Sequence, residues 1–202
     1  MKTLFSFSAA VLGAVASAQT YGNTSSFETQ SGHAPDYVLG VRVTVSSTMV
    51  LDSFGMMYGQ TGLTPVTANG KFALYDANGS GGSALNLVAS TGAVSLSGIA
   101  TFNNIAFTTN PTITAGTYWM MALYESNATP RMGLAGQGTS LINYWSQTYA
   151  SGFNATSPGV LSYSGQNFNY WINGHAPVPE PASFAVIGLG LVAFAVRRRR
   201  VH

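Results

Sequence analysis

Apolar and polar residues alternate along much of the middle of this chain. Val41, Val43 and Val45 are separated by Arg42 and Thr44, a period of two that predicts a half-buried strand. Further strands are predicted over Met49 to Tyr58, Lys71 to Tyr75, Leu85 to Ser90, Ile99 to Phe107 and Thr117 to Tyr124. Gly55 marks a candidate bulge in the Met49 strand, and Asn103-Asn104 a candidate irregularity in the Ile99 strand. Weaker patterns run through Leu141 to Trp145, Val160 to Tyr163 and Phe168 to Ile172. Gln60 to Gly70 reads as a loop around Pro65, and Asp76 to Gly82 as a turn rich in residues that tolerate positive φ. In Thr117 to Leu123 the bulkier alternate set is Thr117, Trp119, Met121 and Leu123, which is expected to face the core. No segment before Ala182 sustains an apolar period of 3.6 residues. The expected fold class is all-β, a single β-sandwich or jelly-roll-like domain.

The two ends follow other rules. Met1 to Ala18 carries Lys2, an apolar run through Val15, and Ala16-Ser17-Ala18. A charged start, an apolar stretch and a small-x-small site predict a cleaved signal peptide over residues 1–18, with the mature chain starting at Gln19. Residues 19–36 are polar and read as a flexible lead-in to a folded domain over residues 37–176. At the other end, Pro-Val-Pro-Glu-Pro precedes an apolar run from Ala182 to Val196, in which Ser183 is the only polar side chain. As a helix that run spans roughly 22 Å at ~1.5 Å per residue. A bilayer core is ~30 Å thick, so the span is marginal and relies on arginine side chains reaching the interface. Arg197, Arg198, Arg199 and Arg200 follow and orient the tail toward the cytoplasm.

The ordered combination of Pro179, Glu180 and Pro181, the apolar helix 182–196 and the arginine run resembles the PEP-CTERM sorting signal of exported bacterial proteins. The resemblance covers residues 177–202. It implies delivery by the general secretory machinery and transient anchoring in the inner membrane. An exosortase-type membrane protease would then process the chain, which would end at the cell surface or in the extracellular matrix of an exopolysaccharide producer. Phe72 to Gly79 (Phe-Ala-Leu-Tyr-Asp-Ala-Asn-Gly) and Ala115 to Ala122 (Ala-Gly-Thr-Tyr-Trp-Met-Met-Ala) look like the strand motifs of exported β-sandwich domains found on such proteins. That second resemblance implies a fold rather than an activity.

Charge alters the picture once the ends are set aside. The whole chain counts +2, but between Gln19 and Ala176 three strong bases face five acids, leaving −2. The basic excess therefore belongs to the arginine tail, and the domain has no basic patch with which to grip nucleic acid. Cysteine is absent, so neither disulfides nor thiolate metal sites are available.

Catalytic candidates are sparse. His33 falls in the lead-in, His175 in the exit linker and His202 at the last position, so no histidine is expected within the folded pattern. Asp52, Asp76 and Glu125 read as strand-edge or turn residues. The sequence lacks a Gly-x-Ser-x-Gly elbow, a phosphate loop and a His-Glu-x-x-His helix. Asp76, Asn78 and Ser80 alternate as calcium ligands do, but no glutamate closes the loop, so turn chemistry is the expected role and no metal or cofactor is expected. The expected function is structural or interactive rather than catalytic. The alternative is carbohydrate binding. Each tryptophan follows a tyrosine, at Tyr118-Trp119, Tyr144-Trp145 and Tyr170-Trp171, and aromatic rings stack on sugar faces. Neighbouring strand residues face opposite sides, so one ring of each pair is expected in the core. Tyr144, Trp145, Tyr170 and Trp171 are the candidates for stacking on exopolysaccharide.

Overall fold

The valine alternation of β3 (Tyr37–Val45) sets one face of the larger of two sheets: Val41, Val43 and Val45 are buried while Arg42 and Thr44 are exposed. The computed structural model describes residues 16–25, 27, 29–30, 32–59, 66–98, 101–133 and 140–178. Ala18–Ala176 forms one compact unit. Met1–Ser17 with Pro177–His202 forms a second, almost all of it outside the described residues. The expected signal-peptide core and apolar tail helix 182–196 lie there, and so do all seven sorting-signal residues named above.

All strand pairing is antiparallel among the described residues. The smaller sheet runs β1 (Ala18–Gly22), β14 (Tyr170–His175), β4 (Met49–Tyr58), β8 (Thr101–Ala106), with β9 (Thr112–Ile113) also on β4. The larger sheet begins with β2 (Thr29–Gln30), β11 (Arg131–Gly133), β13 (Leu161–Phe168) and β12 (Ser140–Ser146). It continues through β3, β10 (Gly116–Tyr124), β5 (Ala68–Asp76) and β6 (Leu87–Ser90), with β7 (Val94–Leu96) also on β5. The described residues are thus all-β, in two sheets. Phe54, Met56 and Ile172 of the small sheet and Val41, Phe72, Leu74 and Met120 of the large one share a single buried cluster. Phe54 stacks on Phe72 at 4.8 Å between ring centroids.

A second core lies on the opposite face of the large sheet. Val38, Ala73, Tyr75, Trp119, Met121, Leu123 and Trp145 are buried there together. The connection from β12 to β13 supplies Tyr149, Phe153 and Val160 to this cluster. It is tied down by polar bonds: Gln147 and Asn154 pair through their amides, and the Tyr75 hydroxyl donates to the Asn154 carbonyl at 2.6 Å. Lys71 donates to the Tyr149 carbonyl at 2.8 Å and lies 4.4 Å from that ring's centroid.

The double coverage of β10 corrects one expectation. Tyr118, Met120, Ala122 and Tyr124 face the inter-sheet core, whereas Trp119, Met121 and Leu123 face the second one. Strands buried on both faces read as continuous apolar runs, and Tyr118 to Tyr124 is such a run.

Other expectations change too. The lead-in carries β1 and β2, and Phe27 and His33 within it are buried. Its polar sequence gives no periodic signal because edge strands are held by backbone bonds. Gly55 sits in regular register, opposite Trp171 on one side and Asn104 on the other. Asn103 and Asn104 are likewise regular. The irregularity in β4 falls at Asp52, which the register with β14 skips.

Both termini of the folded unit lie at one corner, since Ala18 pairs with His175. Tyr37 starts β3 at the other end of the large sheet, and Gly116 pairs with Val45 near the corner end.

Candidate functional site

The three Tyr-Trp pairs obey strand alternation but do not make an exposed aromatic row. Trp145 is 2% exposed in the second core and donates its indole N–H to Gln147 Oε1 at 3.0 Å. Tyr170 is fully buried between the sheets, with its hydroxyl 3.1 Å from that of Tyr124. Trp171 points away from that core, is 5% exposed, and donates to Asn104 Oδ1 at 3.1 Å. Three of the four rings expected to stack on sugar therefore present no free face. Hydrogen-bonded indoles and packed neighbours hold them in the interior.

Tyr144 is different. It lies on the inner face of β12, half-buried, opposite Leu39 of β3 and Leu161 of β13. Here the large sheet extends past the smaller one. Leu161 is 58% exposed, Tyr37 44% and Tyr163 37%. Tyr144 and Tyr163 meet edge to face at 5.6 Å. A cavity of about 390 Å³ is lined by Tyr37, Leu39, Tyr144, Tyr163, Gln166 and His33, among others.

The wall depends on a backbone irregularity in β13. Residues 163 and 166 would ordinarily face opposite sides of a strand. The register of β13 against β12 skips one residue, passing from Gln166 opposite Ser140 to Ser164 opposite Leu141. The extra residue is Gly165, whose φ of 110° few side-chain-bearing residues adopt. The Gln166 side chain is thereby turned to Tyr163, whose hydroxyl donates to Gln166 Oε1 at 3.0 Å. Burial raises the Tyr163 hydroxyl above its ordinary pKa, and the Tyr144 phenol beside it adds to this. None of the lining residues carries a carboxylate, an ammonium or a guanidinium.

His33 closes one side. Its ring meets Tyr124 edge to face at 4.6 Å, and burial pushes its pKa from 6.5 down to about 4. Nδ1 lies 2.8 Å from the Ala34 carbonyl, which can only accept, so Nδ1 carries the proton. Nε2 is then a lone-pair acceptor, buried and without a hydrogen-bond partner. The flexible place expected for His33 is thus corrected: a backbone bridge to Ala128 and the Tyr124 ring fix it. His175 is also part of the folded unit, as the last residue of β14. Its Nδ1 is 2.9 Å from Asp52 Oδ2, with both side chains more than a third exposed. Among the described residues no serine or threonine hydroxyl is hydrogen-bonded to that imidazole.

The Asp76 loop is a turn. Asp76 accepts from the backbone N–H and side-chain amide of Asn78, at 3.3 and 2.7 Å. It accepts the same pair from Asn86, at 3.0 and 2.9 Å. Burial alone would raise the carboxyl's pKa, but these four bonds outweigh it and hold the pKa below its ordinary value. Both oxygens are occupied, which accounts for the residue without a metal.

The sequence singled out Tyr144 but missed Tyr37, Tyr163, Gln166 and His33. The Ser162-Tyr163-Ser164 alternation was the available signal for Tyr163. Nothing local marks Tyr37 or His33, which chain topology brings to the site.

No curated protein matches this chain. Residues 177–200 match the PEP-CTERM protein-sorting motif. That stretch includes Pro179, Glu180, Pro181 and all four arginines, and an all-β body fits the exported domains that carry it. The chain therefore carries a PEP-CTERM protein-sorting motif at residues 177–200, the mark of an exported, transiently membrane-anchored substrate of an exosortase-type system.

Proposed function

We propose that this is a non-catalytic protein of the cell surface or extracellular matrix, whose β-domain has a structural or interaction role after sorting. The motif at residues 177–200 carries the reading. In it the N-terminal 18 residues direct the chain to the general secretory machinery. The apolar segment 182–196 and the four arginines then hold it in the inner membrane until an exosortase-type protease cuts near Pro179-Glu180-Pro181. Mass spectrometry of the protein from its native host tests this. No peptide from Phe184 to His202 is expected on mature molecules, and deletion of the protease should restore those peptides. An intact arginine tail on most molecules of an unmodified host would overturn the reading.

A second reading, carbohydrate binding by the β-domain, is favoured by one observation. Tyr37, Tyr144 and Tyr163 leave part of their rings accessible around one uncharged cavity.

A further inference from the structure

We propose that the cavity between β3, β12 and β13 binds one neutral sugar ring of a glycan chain, stacked on Tyr144 and Tyr163 and hydrogen-bonded by Gln166 and Tyr37. This rests on the carbohydrate reading above and gives it a site.

The size and the lining of the cavity point to this ligand class. The volume of about 390 Å³ falls in the usual range for small-ligand sites, roughly 300–1,000 Å³. The lining holds no ionised side chain, so a phosphate, uronate or ammonium entering it would lose water and gain no counter-charge. A wholly apolar ligand fits no better, because it would strip water from amide and hydroxyl groups and return nothing. A sugar ring satisfies both demands, with an apolar face for the tyrosines and hydroxyls that both donate and accept.

The polar groups are set for that exchange. Gln166 Oε1 accepts from Tyr163, so the amide nitrogen remains the donor that Gln166 offers to a ligand. Among the described residues, the hydroxyls of Tyr37 and Tyr144 are held by no protein group, and each can donate and accept. Tyrosines also bring large contact area at low conformational cost. The Gly165 irregularity puts the amide and the rings on one face.

The test titrates the protein purified from its native host with cellohexaose, mannohexaose and galactohexaose, and with a galacturonic acid hexamer, by calorimetry. At least one neutral hexamer should bind saturably, and the uronate hexamer at least about tenfold more weakly. Tyr144→Ala should weaken the neutral ligand about tenfold or more, and Gln166→Ala about fivefold, without loss of the folded state. If Tyr144→Ala does not fold, Tyr37→Ala serves instead, since that ring is 44% exposed. Neutral binding unchanged by Tyr144→Ala, Tyr37→Ala and Gln166→Ala would overturn this site and leave the carbohydrate reading intact. Preference for the uronate would overturn the ligand class. No neutral hexamer bound at about 1 mM would overturn site and reading together.

Discussion

Trp171 lies flat over Gly55, its indole occupying the place where a Cβ at position 55 would stand. The two residues face each other in the β4–β14 register, so a Cβ at position 55 could be accommodated only by moving the indole off its place against the sheet. Gly55→Ala should therefore destabilise the fold by about 2–3 kcal/mol, the upper range for overpacking. Urea unfolding of the variant checks this. A midpoint equal to the parent's would show that the indole is free to move.

Trp119 is fully buried in the second core and donates its indole N–H to the Gly82 carbonyl at 2.9 Å. Trp119→Ala should cost ~3–5 kcal/mol, as for other large aromatic deletions. The same unfolding experiment reads it out. Trp119→Phe should recover most of the packing but leave the Gly82 carbonyl without its partner, for a smaller loss of about 1–2 kcal/mol.

Stability should fall in mild acid because of His33. Its folded pKa, about 4, lies below the ordinary 6.5. Between those values the unfolded chain binds the proton and the folded one does not, so stability is full above about 6.5 and declines as pH drops toward 4. The shift corresponds to roughly 3 kcal/mol. Tyr124, packed against the ring, stays neutral throughout, because burial holds its pKa well above the ordinary value. Thermal unfolding from pH 7 to pH 4 should show the decline in the parent protein, with a much smaller decline in His33→Phe. Equal pH dependence in both would exclude His33 as the source.

Asp76 should behave as a turn residue rather than a metal ligand. Millimolar calcium or a chelator is expected to leave the melting temperature unchanged, whereas Asp76→Ala should lower stability by about 1–2 kcal/mol through lost hydrogen bonds. The carboxyl's pKa is held below its ordinary 3.8, so its contribution persists above that value and fades as pH falls below it. A chelator-induced drop in melting temperature would return the loop to the metal-binding class.

The strands that sequence pattern located best are the long ones, nine or ten residues each. The pattern over Met49 to Tyr58 has the bounds of β4, and that over Thr117 to Tyr124 differs from β10 by one residue. Short strands escaped, because β2, β9 and β11 are too brief to show a period. The double burial of β10 is visible as an unbroken apolar run, but bulk alone ranks one alternating set above the other only where a strand has a single buried face. Of the five aromatic and polar side chains that line the site, Tyr144 alone was legible. Tyr144 announces itself beside Trp145, but Gln166 reaches the cavity only through an unpaired glycine, and Tyr37 and His33 arrive from distant chain positions. Side-chain type suggests stacking chemistry, whereas the identity of the accessible rings depends on how far one sheet overhangs the other.

The pairing of Ala18 with His175 has a mechanical meaning. The proposed cut after Ala18 would trim one residue from an edge strand, and the sorting cut would fall beyond the last strand. The folded body can then be moored or released with the rest of the β1–β14 ladder, from Gln19 opposite Gly174 onward, still paired. Its mooring point is a single corner, while the tyrosine-lined cavity opens toward the start of β3, roughly 25 Å along that strand at ~3.3 Å per residue. Because both cuts fall at that one corner, maturation would change where this protein reaches without cutting into the strands that line the cavity.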